Sequence, residues 1–205
     1  MNQSYFSIFA FALLIGLAPI SACQINSESS DGNSSAIKGQ IASEIPPYER
    51  TAFGGGWEDE DGDCRNTRME VLADLSLSRV RYDSDGCRVV SGRWISEYTG
   101  REVYDASEVE IDHVVPLAYA WRHGAYRWTS EARGKFANDS INLLPAEVSL
   151  NRSKGDSPPS EWLPDENRCA YVSRFLRIAK TYDLALPTAE RIFIHTELES
   201  CKTAE

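Results

Sequence analysis

The feature that most narrows what this chain can fold into is its cysteine pattern. Of five cysteines, Cys23 directly follows residues 1–22, MNQSYFSIFAFALLIGLAPISA, which carry no charged side chain and hold an apolar run from Tyr5 to Ile20. Such an opening reads as a secretory leader, and it is short for a membrane span. An exported chain meets an oxidising compartment, so Cys64, Cys87, Cys169 and Cys201 read as two disulfides out of three possible pairings. The local pairing, Cys64 with Cys87 and Cys169 with Cys201, is favoured because each pair brackets one local unit. Each closure is worth roughly 3 kcal/mol in the chain-entropy model. No C-x-x-C or clustered Cys/His spacing suggests zinc.

Ile20-Ser21-Ala22-Cys23 resembles a bacterial lipobox, which implies a diacylated Cys23 and a membrane held through lipid only. An ordinary cleaved leader that leaves Cys23 unpaired is the alternative. The following QINSESSDGNSSAIKGQ is too polar to bury a core and reads as a flexible tether. The expected organisation is therefore a leader over 1–22, a lipidated cysteine and tether over 23–47, and one folded domain over 48–205. The address is exported, either membrane-anchored or secreted, and the chain is expected to be a monomer.

A net charge of −10 argues at first against a polyanionic partner. Its distribution softens that objection. From Asp112 to Gly155 six basic residues (Arg122, Arg127, Arg133, Lys135, Arg152, Lys154) face four acidic ones (Asp112, Glu131, Asp139, Glu147), so the acid excess lies elsewhere.

Met69, Leu72 and Leu75 recur at a spacing that predicts a short amphipathic helix after Cys64. Arg79–Tyr82 and Cys87–Trp94 read as strands around the turn Asp83-Ser-Asp-Gly86. The acidic stretch Glu58–Asp63 is read as a solvated turn rather than a calcium loop of the EF-hand kind. Val109–Val115 reads as a strand ended by Pro116, Leu117–His123 as a helix stopped by Gly124, and Phe136–Ser140 as a loop. Ile141–Leu144 is extended, and Ala146–Ser153 is a helix closed by Gly155. Helices over Asn167–Tyr182 and Thr188–Cys201 complete the chain, the second preceded by Pro187 and capped by Thr188.

Within this frame EIDHVVPL, Glu110 to Leu117, places an acid and a histidine inside an apolar, β-branched run, where burying them is costly unless they act. Asn142 follows in Ile-Asn-Leu-Leu, then Asn151 in Asn-Arg-Ser-Lys-Gly-Asp. Hydrolysing a phosphodiester needs an activated water and a cation to stabilise charge on the phosphate oxygens. His113 is the candidate base, and Asp112 and Asn151 are candidate hard oxygen ligands. Neighbours on a strand point to opposite sides, so Asp112 and His113 are expected to need a bulge to face one phosphate.

The ordered set Asp112-His113, Asn142 and Asn151-Arg152-Ser153-Lys154 resembles the HNH, or His-Me finger, nuclease motif. Arg65-Asn-Thr-Arg68, Gly92-Arg-Trp94, Ala120-Trp121, Gly124-Ala125, Phe136-Ala-Asn-Asp139 and Glu161-Trp-Leu-Pro164 extend the likeness to a family of exported bacterial HNH nucleases. That resemblance implies an α+β fold with a ββα-metal core, an N-terminal helix and hairpin, and a C-terminal helical pair. It also implies a metal-dependent endonuclease of little sequence specificity acting on nucleic acid, DNA first and RNA as an open option. Asn142 is counted with His113 in the catalytic set, as the residue that holds the connecting loop. Asn in place of the motif's last His shifts the expected cofactor from zinc to Mg²⁺ or Mn²⁺. Arg152, Lys154, Arg133, Lys135 and Arg68 are the candidate phosphate contacts. The rival reading is a noncatalytic surface lipoprotein that uses the same core as a binding scaffold.

Overall fold

A computed structural model describes residues 45–203. The leader over 1–22, the lipidation at Cys23 and the tether up to residue 44 lie outside the described residues.

Helix α1 (Thr67–Asp74) begins where Asn66 accepts the Met69 amide, satisfying one of the donors that a helix start leaves open. It buries Met69, Val71 and Leu72, while Leu75 falls at the C-cap and stays 43% exposed. Strands β1 (Arg81–Tyr82) and β2 (Val89–Ile95) pair antiparallel across the expected turn, where Asp83 accepts the amides of Cys87 and Arg88. A third strand, β3 (Glu102–Asp105), extends this sheet. The sequence did not announce it, because Val103 is its one buried residue and alternation over so short a segment carries no signal. Trp94 ties sheet to helix, fully buried and donating its indole N–H to the Leu72 carbonyl at 2.8 Å.

Strand β4 (Val109–His113) pairs with β5 (Leu143–Glu147) in an antiparallel ladder running from Val109↔Glu147 to His113↔Leu143 without a slip. The period of two divides its side chains between two cores. Val109, Ile111 and Leu143 join α1 and β2, whereas Leu144 and Ala146 pack with Tyr98, Val172 and Phe175 on the other side. The ladder is regular through Asp112 and His113, so the expected bulge is absent and the two side chains diverge.

Between the strands run α2 (Leu117–Arg122) and α3 (Ser130–Asn138). The latter corrects the expected loop at Phe136–Ser140: Thr129 caps a helix through the Ala132 amide, and Phe136 and Ala137 are buried in it with Gly134 rather than standing in a loop. Helix α4 (Val148–Lys154) follows β5 and stops at Gly155, whose φ of +54° suits glycine. Helices α5 (Arg168–Thr181) and α6 (Thr188–Thr203) close the chain. Both disulfides take the expected local pairing, Cys64–Cys87 joining the approach to α1 with the β1–β2 turn and Cys169–Cys201 joining α5 with α6. Among the described residues no helix is long and apolar enough to cross a membrane.

Candidate active site around His113

The last residue of β4 is where the strand's apolar face ends, and the imidazole placed there is held on two sides. Trp57 stacks on it with ring centroids 5.3 Å apart and planes 8° from parallel. His113 Nε2 lies 2.8 Å from the Ala137 carbonyl at the end of α3. A carbonyl can only accept, so Nε2 carries the proton and the Nδ1 lone pair is left without a described protein partner. Burial pushes the imidazole pKa down to about 4; the Ala137 bond opposes that, and the charges of Arg50 and Lys154 reinforce it. At neutral pH the ring is a neutral base of fixed tautomer.

Asp112 turns the other way. Its carboxylate is buried against Lys154 Nζ at 3.0 Å and the Tyr98 hydroxyl at 2.5 Å. Burial pushes Asp112 up and Lys154 down, and their mutual attraction opposes both shifts. Lys154 also donates to the His113 carbonyl at 2.9 Å, so one buried ammonium braces both residues of the pair.

Asn142 is fully buried and does what the sequence expected of a loop-holding residue. Its Oδ1 accepts from the Val115 amide at 2.8 Å and its Nδ2 donates to the Val115 carbonyl at 3.1 Å, continuing the β4–β5 ladder past its end. Asn151 on α4 donates to Glu110 at 2.9 Å through Nδ2, which orients its Oδ1 as the amide's remaining acceptor. His113, Asp112 and Asn151 line one open depression of ≈ 310 Å³ together with Tyr48, Arg50 and Asp156.

The five cations expected to hold phosphate divide into two groups. Lys154 is 1% exposed and cannot reach a ligand in solution, because the ion pair with Asp112 draws it beneath the strand. Arg133 donates to the Ala52 and Trp128 carbonyls and lies over Trp121, so it braces the segment before α1 instead. Arg68 is likewise directed inward, to the carbonyls of Ala106 and Val109. Arg152 and Lys135 remain at the surface, 3.8 Å from Glu110 and 2.8 Å from Glu131 respectively.

Sequence reasoning missed Trp57, the Ala137 carbonyl, Tyr98 and Arg50. Trp57 sits in irregular chain and Arg50 in a single 3-10 turn, both too short for a periodic pattern to point to them, and a carbonyl has no sequence signal. The acidic stretch is also closer to a calcium loop than expected, since Glu70 occupies the twelfth position counted from Asp59. Carboxylate oxygens of Asp59, Asp61 and Asp63 approach within 4.8 Å of one another, although all three residues are exposed and Arg65 lies 3.4 Å from Asp63.

The family described as GmrSD restriction endonucleases, C-terminal domain, matches residues 66–191, a span that runs from the cap of α1 into α6 and contains His113, Asn142 and Asn151. An uncharacterized secreted protein of Arthroderma benhamiae is 38% identical over 158 residues, covering 75% of this chain and 76% of the relative. No solved structure matches the chain. The named relative is fungal, so the expectation of a bacterial family is met only at the coarser level of a nuclease family. The chain belongs to the family of GmrSD restriction endonuclease C-terminal domains.

Proposed function

We propose that the protein is an exported, divalent-metal-dependent endonuclease of the HNH type that hydrolyses phosphodiester bonds in DNA, with RNA an open second substrate, and with little sequence specificity. The observation that carries this reading is the His113 imidazole, neutral, fixed in tautomer, and set in the wall of a depression it shares with Asn151 and Arg50. A base so placed takes the proton of an attacking water, a contribution worth typically about 10²–10⁴ in rate. The succession β4, β5, α4 resembles a ββα-metal core, with the histidine ending the first strand and Asn151 projecting from the helix.

The donors on the wall suit a hard cation, being one carboxylate and one amide oxygen. Asp112 and Asn151 would hold Mg²⁺ or Mn²⁺, which when bound would neutralise charge on the phosphate oxygens and the leaving oxygen. Lys154 lies 3.0 Å from the same carboxylate and competes for it, so the metal affinity supported here is weak. Two disulfides and the name of the fungal relative support a secreted address. A surface anchor through Cys23 would add to it.

The test is cleavage of supercoiled plasmid by the purified protein with Mg²⁺ or Mn²⁺, against the same reaction in EDTA. Metal-dependent nicking supports the reading. Intact plasmid under all conditions would favour the noncatalytic scaffold, which the net charge of −10 suits better than it suits a tight DNA binder.

A further inference from the structure

We infer that Arg50 binds the scissile phosphate, so that the segment before α1 completes the substrate site. This rests on the nuclease reading of the depression. The family match begins at residue 66, so nothing carried by that match assigns a role to Arg50.

Arg50 opens a 3-10 turn, Arg50–Phe53, that is firmly seated although its first residue is exposed. Phe53 is 2% exposed and its ring meets those of Trp121 and Phe136, each at 6.2 Å between centroids. Arg133 Nε donates to the Ala52 carbonyl at 2.7 Å. The backbone from which the Arg50 side chain extends is thereby fixed against α2 and α3.

The side chain borders the depression that holds His113 and Asn151, and also the smaller recess formed by Trp57, His113 and Ala137. Other cations near the site have acceptors: Arg122 has Asp156 at 2.6 Å, Arg152 has Glu110 at 3.8 Å, and Lys154 has Asp112 at 3.0 Å. Arg50 meets the Tyr48 hydroxyl, a neutral partner, and among the described residues no carboxylate lies within 4 Å of it. A guanidinium whose charge no carboxylate pairs, beside the His113 imidazole in a concave site, suits an anion positioned for attack. A planar fork of N–H donors matches two non-bridging oxygens of one phosphodiester, and it stabilises the charge those oxygens gain as water adds.

The test compares plasmid cleavage by the parent, Arg50→Ala, Arg50→Lys and His113→Ala in the same metal. Arg50→Ala should lower kcat/KM by about 10²–10³, the loss expected for one preorganised donor to a developing oxyanion. Arg50→Lys should recover only part of it, and free guanidinium should partly rescue Arg50→Ala. The melting temperature should not move, since the side chain is exposed. Arg50→Ala within threefold of an active parent would overturn the inference and leave the nuclease reading standing. A rate loss without guanidinium rescue would also overturn it, by making Arg50 a structural brace. An inactive parent would overturn the nuclease reading and this inference with it.

Discussion

Lys154→Met separates the two roles a lysine at this position could play. The substitution keeps the length and apolar stem of the side chain and removes the ammonium. Side-chain exposures of 0% for Lys154 and 6% for Asp112 mean that solvent cannot replace it. The variant leaves a buried carboxylate with the Tyr98 hydroxyl as its remaining side-chain partner and unpairs the His113 carbonyl from Nζ. Breaking a buried pair from one side costs about 3–5 kcal/mol. In a domain of this size that lowers Tm by roughly 6–20 °C. Urea unfolding in metal-free buffer measures the loss, and Asp112→Asn with Lys154→Met closes the cycle. The double variant buries no net charge, so it should recover at least about 2 kcal/mol relative to the sum of the singles. If Lys154→Met stayed within about 1 kcal/mol of the parent and instead raised KM for DNA, Lys154 would be a phosphate contact and the buried pairing would be wrong.

A general base must be neutral to act, and burial places His113 at about 4, so kcat/KM should hold from pH 7 to about 5 and fall as pH drops through about 4. An acid limb centred near 6.5 would contradict the burial of the ring. The same shift acts on stability: the unfolded imidazole takes its proton near 6.5 while the folded one refuses it down to about 4, so urea midpoints should decline across that window as pH falls. Asn142→Ala strands the Val115 amide and carbonyl in the core and should cost about 2–4 kcal/mol, with Mn²⁺ affinity by calorimetry unchanged. Cys169→Ser with Cys201→Ser opens a loop closed over a separation of 32 residues and should cost about 3–4 kcal/mol in urea, with cleavage retained well below the new Tm.

The parts of the fold that could be read from sequence are those with a local cause. Disulfide pairing followed from the short spans between cysteines, and β4, α5 and α6 followed from hydrophobic period and stop residues. β3 and α3 escaped because neither has a periodic apolar face long enough to register. The site was legible as a set of residue types in order, His113, Asn142 and Asn151, but the direction of each side chain was not. Asp112 and His113 diverge because the ladder stays regular, and only packing shows that Lys154 follows Asp112 inward while Arg50 faces the groove. A lysine three positions along a helix from Asn151 and next to polar residues looks solvated in sequence. The partner that buries it stands 42 residues earlier.

The account stands or falls on His113 as the proton acceptor. The most direct measurement is plasmid cleavage by His113→Ala in saturating Mg²⁺ or Mn²⁺, with and without added imidazole, alongside its thermal melt. The account predicts a folded protein whose rate falls by about 10²–10⁴ and recovers in part with imidazole. A folded His113→Ala variant that cleaves within tenfold of the parent would place the base elsewhere and contradict it.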